Sequence, residues 1–421
     1  MNIVTYAAQN MKPFQDQAFH SVDSLILSCV VYMHFPRVNP ALCDWDGVPL
    51  PALFHTEDFD TIFEHVYDAP ASKELLTALV ASPRFREIRV KGYVQQSDRS
   101  TEKQFAAMTF DLPDGSSYIA FRGTDATIVG WKEDFNMAFQ YPVPSQAEAA
   151  DYLNEAARHC RGKLYVGGHS KGGNLAVYAA ANCRPDVSAR LARVFSHDGP
   201  GFLAQALQSA AFRQVLPKIE KTLPQSSMIG MLLEHQENYK IVKSSSISIW
   251  QHNPFSWEIN GDDFSYRSEL TGDARYLNAT LNQWIRAMSA EERAQLVDTI
   301  YGLIDLDNIA TFAQLRAEWQ TSFPEIFRSF SGLKQLPHGA AAENIARAGR
   351  VDGLDRVRTL PDLRAVLPAD GSLRPERQQN AKRRIALLER LIARLRIAAA
   401  RHGRAFDLVH DQPVDAGKIG V

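Results

Sequence analysis

"LYVGGHSKGGNLAVYAA", residues 164 to 180, runs from an apolar stretch through clustered glycines into an alanine-rich one, with Ser170 at its centre. "KLYVG" reads as a short buried strand and "NLAVYAA" as a helix, so the glycines mark a strand-to-helix turn. Gly168-His169-Ser170-Lys171-Gly172 fits G-x-S-x-G, the strained turn that lifts a serine hydroxyl above a parallel sheet. Glycines flank the serine because backbone there runs close to backbone. Two other readings compete: a helix N-cap serine behind a glycine turn, and a phosphate-cradling loop. The phosphate pattern G-x-x-x-x-G-K-S/T fails, because Gly167 leads to Gly172 and then to Gly173-Asn174.

Outward from this turn, strand and helix alternate. "SQAEAADYLNEAARHC" reads as a capped amphipathic helix before it and "LARVFSHDG" as a buried strand after it, which implies parallel strands joined by helical crossovers. "PKIEKTLP", "SMIGMLLEH", "YKIVKSS" and "ISIWQH" continue the pattern less clearly. Upstream, "REIRVKGYVQ", "KQFAAMTFDL" and "SSYIAFRG" have strand character, the last two joined at Pro113-Asp114-Gly115, a hairpin signal. "DSLILSCVVYMHF" is expected as an early buried helix with a Ser or Asp cap, residues 40 to about 60 as loop, and "ASKELLTALVAS" as a shorter helix. Beyond about Tyr276 only helical patterns are read, with a poorly ordered stretch expected around Leu336 to Gly353. The expected division is residues 1–275, a mostly parallel sheet flanked by helices, and 276–421, a helical extension.

Composition excludes some partners. The 421 residues carry 46 Lys and Arg against 48 Asp and Glu, so no overall field selects nucleic acid. The exception is Arg374 to Arg404, where ten basic residues face Glu376 and Glu389. In "RRIALLERLIARLRIAAARHGR", Ile385, Leu388, Leu391, Ile392 and Leu395 share one helical face; docking on an acidic face or in a dimer is the favoured reading, peripheral contact with an anionic membrane the other. Cys29, Cys43, Cys160 and Cys183 lack pairing or metal spacing, and with no secretory signal or membrane-length apolar run the expected setting is cytoplasmic.

If Ser170 attacks an acyl carbon, the oxyanion needs donors. The backbone N–H of Lys171, next after the nucleophile, is one; the other comes from the loop after an earlier strand, where "YIAFRGTD" ends at Thr124. Thr124 offers N–H and hydroxyl, although Gly123-Thr124-Asp125 also reads as a plain turn. The base is sought among the histidines after Ser170. His338, His402 and His410 fall in the tail, His235 in a polar run expected to be solvated, and His197 too close to the end of its own strand. His252 remains, where "SISIWQ" gives way to a loop, with a hydrogen-bonded loop histidine as the alternative. Asp198, at the carboxyl edge of its strand, would orient the imidazole; Asp-Gly-Pro-Gly is equally a turn in which the Asp accepts from its own backbone.

"FRGTD", "GWKEDFNM", "GGHSKGGNLA", "HDGPGF" and "WQHNPFSW", in this order and with "FHSVDSLILSCVVYMHF" before them, resemble the Mbeg-like family of bacterial α/β-hydrolases, itself similar to class 3 (fungal-type) lipases. The resemblance covers roughly residues 1 to 270. It implies an α/β-hydrolase fold, with the family's serine at Ser170, its oxyanion residue at Thr124 and its late histidine at His252. The acid departs from the lipase pattern. Lipases take it from an Asp-x-Val-Pro segment, whereas "LPQSSMIGMLL" here has Ser226 and Ser227 but no carboxylate, so Asp198 is expected to substitute. Lys171 stands where lipases carry an apolar residue; its side chain is expected in solvent, with attraction of an anionic substrate as the other reading. "SMIGMLL" is read as an apolar flap beside an acyl pocket or as a buried helix.

The expectation is a serine hydrolase of the lipase or esterase type. It would cleave a small-molecule or lipid ester through an acyl-Ser170 intermediate, with His252 as base, Asp198 as its orienting acid, Thr124 and Lys171 as oxyanion donors, and no metal or organic cofactor. Two alternatives stand beside it: a non-catalytic binding or scaffold module on the same fold, and a thioesterase or peptidase using the same triad.

Overall fold

The strands read upstream of the serine form an antiparallel meander. The computed structural model describes residues 1–294 apart from 38, 65, 99–100 and 125–132. In it β1 (Val48–Pro49), β2 (Arg89–Asp98), β3 (Lys103–Asp111) and β4 (Ser117–Phe121) pair antiparallel in that order. The β3–β4 connection is the Pro113-Asp114-Gly115 turn, with Gly115 at φ 84°. From β4 the sheet turns parallel through β5 (Leu164–His169), β6 (Leu191–His197), β7 (Ile219–Pro224) and β8 (Tyr239–Val242). β9 (Ile259–Asn260) and β10 (Asp263–Phe264) form a separate ribbon, and β11 (Tyr266–Arg267) closes the nine-stranded sheet antiparallel to β8.

Helices cover both faces of the sheet. On one side α1 (Ile3–Gln9), α2 (Ser21–Val30) and α3 (Ala69–Ala81) pack over Tyr118, Ala120 and Phe195; on the other α4 (Pro144–His159) and α5 (Lys171–Asn182) pack over Ile119, Phe121, Val166 and Val194. The alternation along β4 is the two-residue period of a strand. Each fully buried Phe or Leu contributes about 1.5–3 kcal/mol. Every residue of α2 is buried, and its cap is His20 rather than a Ser or Asp: His20 Nδ1 accepts from Val22 N while Asp23 accepts from His20 N. At α4 the chain enters through Val143, whose N–H donates to Gln146 Oε1.

Two segments differ from expectation. "SMIGMLL" is a series of turns, neither strand nor helix, because its groups are bonded elsewhere in the fold instead of into a helical ladder. "ISIWQH" is no strand: Ser248 lies at φ 51°, Ile247 is 75% exposed, and Ser248–His252 winds into a 3-10 turn.

The compact unit runs Met1–Ala294 and includes α6 (Gly272–Ala287), so the boundary expected after residue 275 falls inside a helix. α6 pins the turns before it: Asn278 Nδ2 donates to Ser227 O, Asn282 Nδ2 to Met231 O, and Leu233 N to Asn282 Oδ1. The second unit, Gln295–Val421, which holds the basic segment expected to be helical and the stretch at Leu336 to Gly353, lies outside the described residues. No described helix is long and apolar enough to cross a membrane.

Candidate active site

β5 ends at His169 and α5 begins at Lys171, leaving Ser170 between them at φ 59°, ψ −133°. A non-glycine residue there is strained, and persists only where its surroundings hold it. They do: Ser170 N donates to His197 O at 2.9 Å, and a Cβ on Gly172 would lie 2.1 Å from Phe121 O, so the helix start presses against the end of β4. On Gly168 a Cβ would lie 2.4 Å from Gly172 C. The elbow therefore requires both glycines. Ser170 occupies the N-cap position but its side chain caps nothing. Its Oγ lies 2.9 Å from His252 Nε2 instead.

His252 Nδ1 lies 2.6 Å from Asp198 Oδ2, giving an unbroken chain from Ser170 to a carboxylate. With that carboxylate ionised, Nδ1 carries the imidazole proton and donates to it, and the Nε2 lone pair faces the serine hydroxyl. Asp198 is fully buried and sits at φ 50° just past β6. It does not serve its own turn. Asp198 Oδ1 accepts from Ser227 Oγ at 2.5 Å and from Gly230 N at 3.1 Å, so both oxygens are satisfied by residues distant in sequence. The "SMIGMLL" segment, read as flap or helix, supplies these two donors.

The remaining histidines divide by what they touch. His169, inside the motif, brings Nε2 to 2.9 Å from His252 O, and its ring lies tilted against the His252 ring at 4.6 Å. A carbonyl can only accept, so this nitrogen holds the proton; burial, reinforced by the neighbouring imidazoles, keeps His169 well below the usual histidine range. His197 is buried on the α2 side between Thr222 Oγ1 and Ser24 Oγ, and burial lowers its pKa to about 3. His235 is not solvated as expected: it is folded against Lys221 Nζ at 2.7 Å and Glu237, because a lysine on β7 needs partners inside the protein.

A second correction concerns Lys171. The Lys171 side chain is buried, not in solvent: Nζ donates to Gln104 O at 2.9 Å and Glu133 Oε2 at 3.0 Å and lies 3.6 Å from Asp134 Oδ1. As first residue of α5, its backbone N–H has no acceptor within the helix. The Thr124 hydroxyl donates to Asp134 Oδ2, so its proton is committed there and its N–H is the group left for an oxyanion. A Cβ on Gly123 would lie 3.0 Å from Ser170 Cβ, which sets this chain end against the serine. Gly123 N itself donates to Tyr32 OH at 3.1 Å. Burial raises the Asp134 pKa to about 6, against the pull of Lys171 and the Thr124 hydroxyl.

Sequence reasoning named Ser170, His252, Asp198, Thr124 and Lys171, and the structure brings them to one end of the sheet. It gave no role to Ser227, Gly230, His169, Glu133 and Asp134. The signal for the last two was present in "GWKEDFNM", quoted for its resemblance and given no role. Among the described residues no group of three or more His, Cys, Asp and Glu is placed to hold a metal ion.

No curated protein matches the chain. Among solved structures it is similar to the Rhizomucor miehei lipase propeptide complex, native form, at 16% identity and a TM-score of 0.32 over 55% of this chain and 75% of that one. It is also similar to M37 lipase, at 15% identity and a TM-score of 0.33 over 51% of this chain and 70% of that one. The family model Mbeg1-like matches residues 79–302, just over half of the chain and a span that includes every residue of the Ser170, His252 and Asp198 cluster. The chain belongs to the Mbeg1-like family.

Proposed function

We propose that the protein is a serine hydrolase that cleaves a carboxylic ester through an acyl-Ser170 intermediate. The observation that carries this reading is the hydrogen-bonded chain Ser170 Oγ, His252, Asp198, with the serine raised on a strained elbow. His252 Nε2 takes the hydroxyl proton as Oγ attacks the ester carbon, and Asp198 stabilises the imidazolium that results. The oxyanion is held by the N–H groups of Lys171 and Thr124. Collapse expels the alcohol, which takes its proton from His252, and water then repeats the sequence on the acyl-enzyme.

A non-catalytic binding module would fit a site that lacks an acid for the histidine. Asp198 supports the hydrolase instead, because its carboxylate is buried, fully hydrogen-bonded and aimed at His252. We place the protein in the reducing cytoplasm, where the four cysteines, all unpaired, stay thiols.

A fluorophosphonate probe tests the reading directly. Mass spectrometry is expected to find Ser170 modified, with labelling abolished in Ser170→Ala and reduced by about 10³-fold or more in His252→Ala. Folded wild-type protein that takes no label would exclude an activated serine.

A further inference from the structure

One buried charge cluster takes no part in the Ser170–His252–Asp198 chain. Lys171 and Glu133 have fully buried side chains 3.0 Å apart, and Asp134 stands beside them at 19% exposure. Burying an ammonium costs free energy that an apolar residue of the same length would not, so the charge calls for an explanation in what it holds. Glu133 is saturated: Oε2 accepts from Lys171 Nζ and Gln104 N, and Oε1 from Ser145 N, tying β3 to the first turn of α4. Asp134 is not. Its Oδ2 accepts the Thr124 hydroxyl, while Oδ1, shielded from solvent, has no hydrogen bond among the described residues and lies 3.6 Å from the Lys171 ammonium. Thr124 is thus oriented by Asp134, and Asp134 is held in its accepting, ionised form by Lys171.

We propose that the Lys171 side chain is a positioning residue of the oxyanion site, its ammonium keeping Asp134 as the acceptor that orients Thr124 beside Ser170. The inference rests on the hydrolase reading above. A single residue then serves both donors: its backbone N–H is one, and its side chain sets the other. Without the ammonium, Glu133 and Asp134 are neighbouring carboxylates in a poorly solvated site, and one takes up a proton. Asp134 is the nearer to doing so, since burial already raises it to about 6 and Lys171 is the strongest group opposing that rise. A protonated Asp134 donates where it now accepts, and the Thr124 hydrogen bond must reverse or break.

The test uses the full chain, a short-chain p-nitrophenyl ester, and a trifluoromethyl ketone whose hemiketal oxygen occupies the oxyanion donors. Lys171→Met keeps the backbone N–H and the length of the side chain, so any loss belongs to the ammonium. Lys171→Met/Glu133→Gln removes both buried charges together and guards against simple unfolding, because a buried pair removed whole is often neutral for stability. In both variants kcat is expected to fall about 10²-fold with KM within about 2-fold of wild type, and ketone affinity to fall by about the same factor as kcat. A kcat and ketone affinity within about 3-fold of wild type in folded variants overturns the proposal, as does a loss confined to the single variant and reversed with its melting temperature in the double one. Wild-type protein no faster than Ser170→Ala overturns the hydrolase reading itself, a failure separable from the first because it is seen before any Lys171 variant is compared.

Discussion

A carboxylate that accepts two hydrogen bonds through one oxygen and presents the other to an imidazole is held in place from both sides. Asp198 is such a group, with Ser227 and Gly230 on Oδ1 and His252 on Oδ2. Asp198→Asn is expected to preserve the fold and lower kcat by about 10⁴ with little change in KM, since an amide favours the wrong imidazole tautomer. Steady-state kinetics with circular dichroism on the same samples would show it; a loss under about tenfold would remove Asp198 from the acid's role. His169 acts on the same imidazole from behind, through the His252 carbonyl. Ser170 and His252 could be singled out from the sequence because each sits beside a short distinctive motif. The role of Asp198 could not be decided there, because Asp-Gly-Pro-Gly describes a turn as well as an acid. What separates the two is where Ser227 and Gly230 arrive.

At the scale of elements, the elbow depends on how closely α5 approaches β4. Gly172→Ala places a methyl 2.1 Å from a strand carbonyl oxygen, which cannot be relieved by a rotamer change. It is expected to destabilise the protein by about 2 kcal/mol or more, read from urea denaturation. Gly272→Ala at the start of α6 is the comparison: nothing lies within 4 Å of the added carbon, so stability is expected to change by no more than about 0.5 kcal/mol. Equal effects at the two sites would refute the packing argument. The segment between β7 and β8 shows the opposite dependence. Its apolar residues suggest a flap or a helix, yet it forms turns because Asp198 takes the Ser227 hydroxyl and the Gly230 N–H, while α6 binds its carbonyls. Competing tertiary hydrogen bonds outweigh a weak local preference.

For the molecule as a whole, the two-faced sheet buries histidines that must stay neutral. His197 stays unprotonated in the fold down to about pH 3, whereas in the unfolded chain it takes a proton below about 6.5. Across that interval the unfolded state binds more protons, so this contribution is complete above 6.5 and is lost as pH falls toward 3. His169 acts in the same direction. Asp134 opposes both: its folded-state pKa is raised to about 6, so its contribution favours the fold at low pH and is lost as pH rises through that value. With three histidines, His235 among them, against one carboxyl, the melting temperature is expected to drop between about pH 7.5 and 5, and to drop less in His197→Gln. A profile unchanged by that substitution would show that His197 titrates alike in both states. The sequence by itself determined the order of strands and helices as far as β7, the parallel middle of the sheet, the elbow and its serine, and the candidates Thr124, His252 and Asp198. These are written in spacings of a few residues, where local chain geometry decides. Only the tertiary structure decided that Lys171 and His235 are buried and that Asp198 serves His252. Each of those outcomes depends on groups far along the chain, Gln104 and Glu133 for Lys171, Lys221 for His235, Ser227 for Asp198, whose distances exist only once the sheet has assembled.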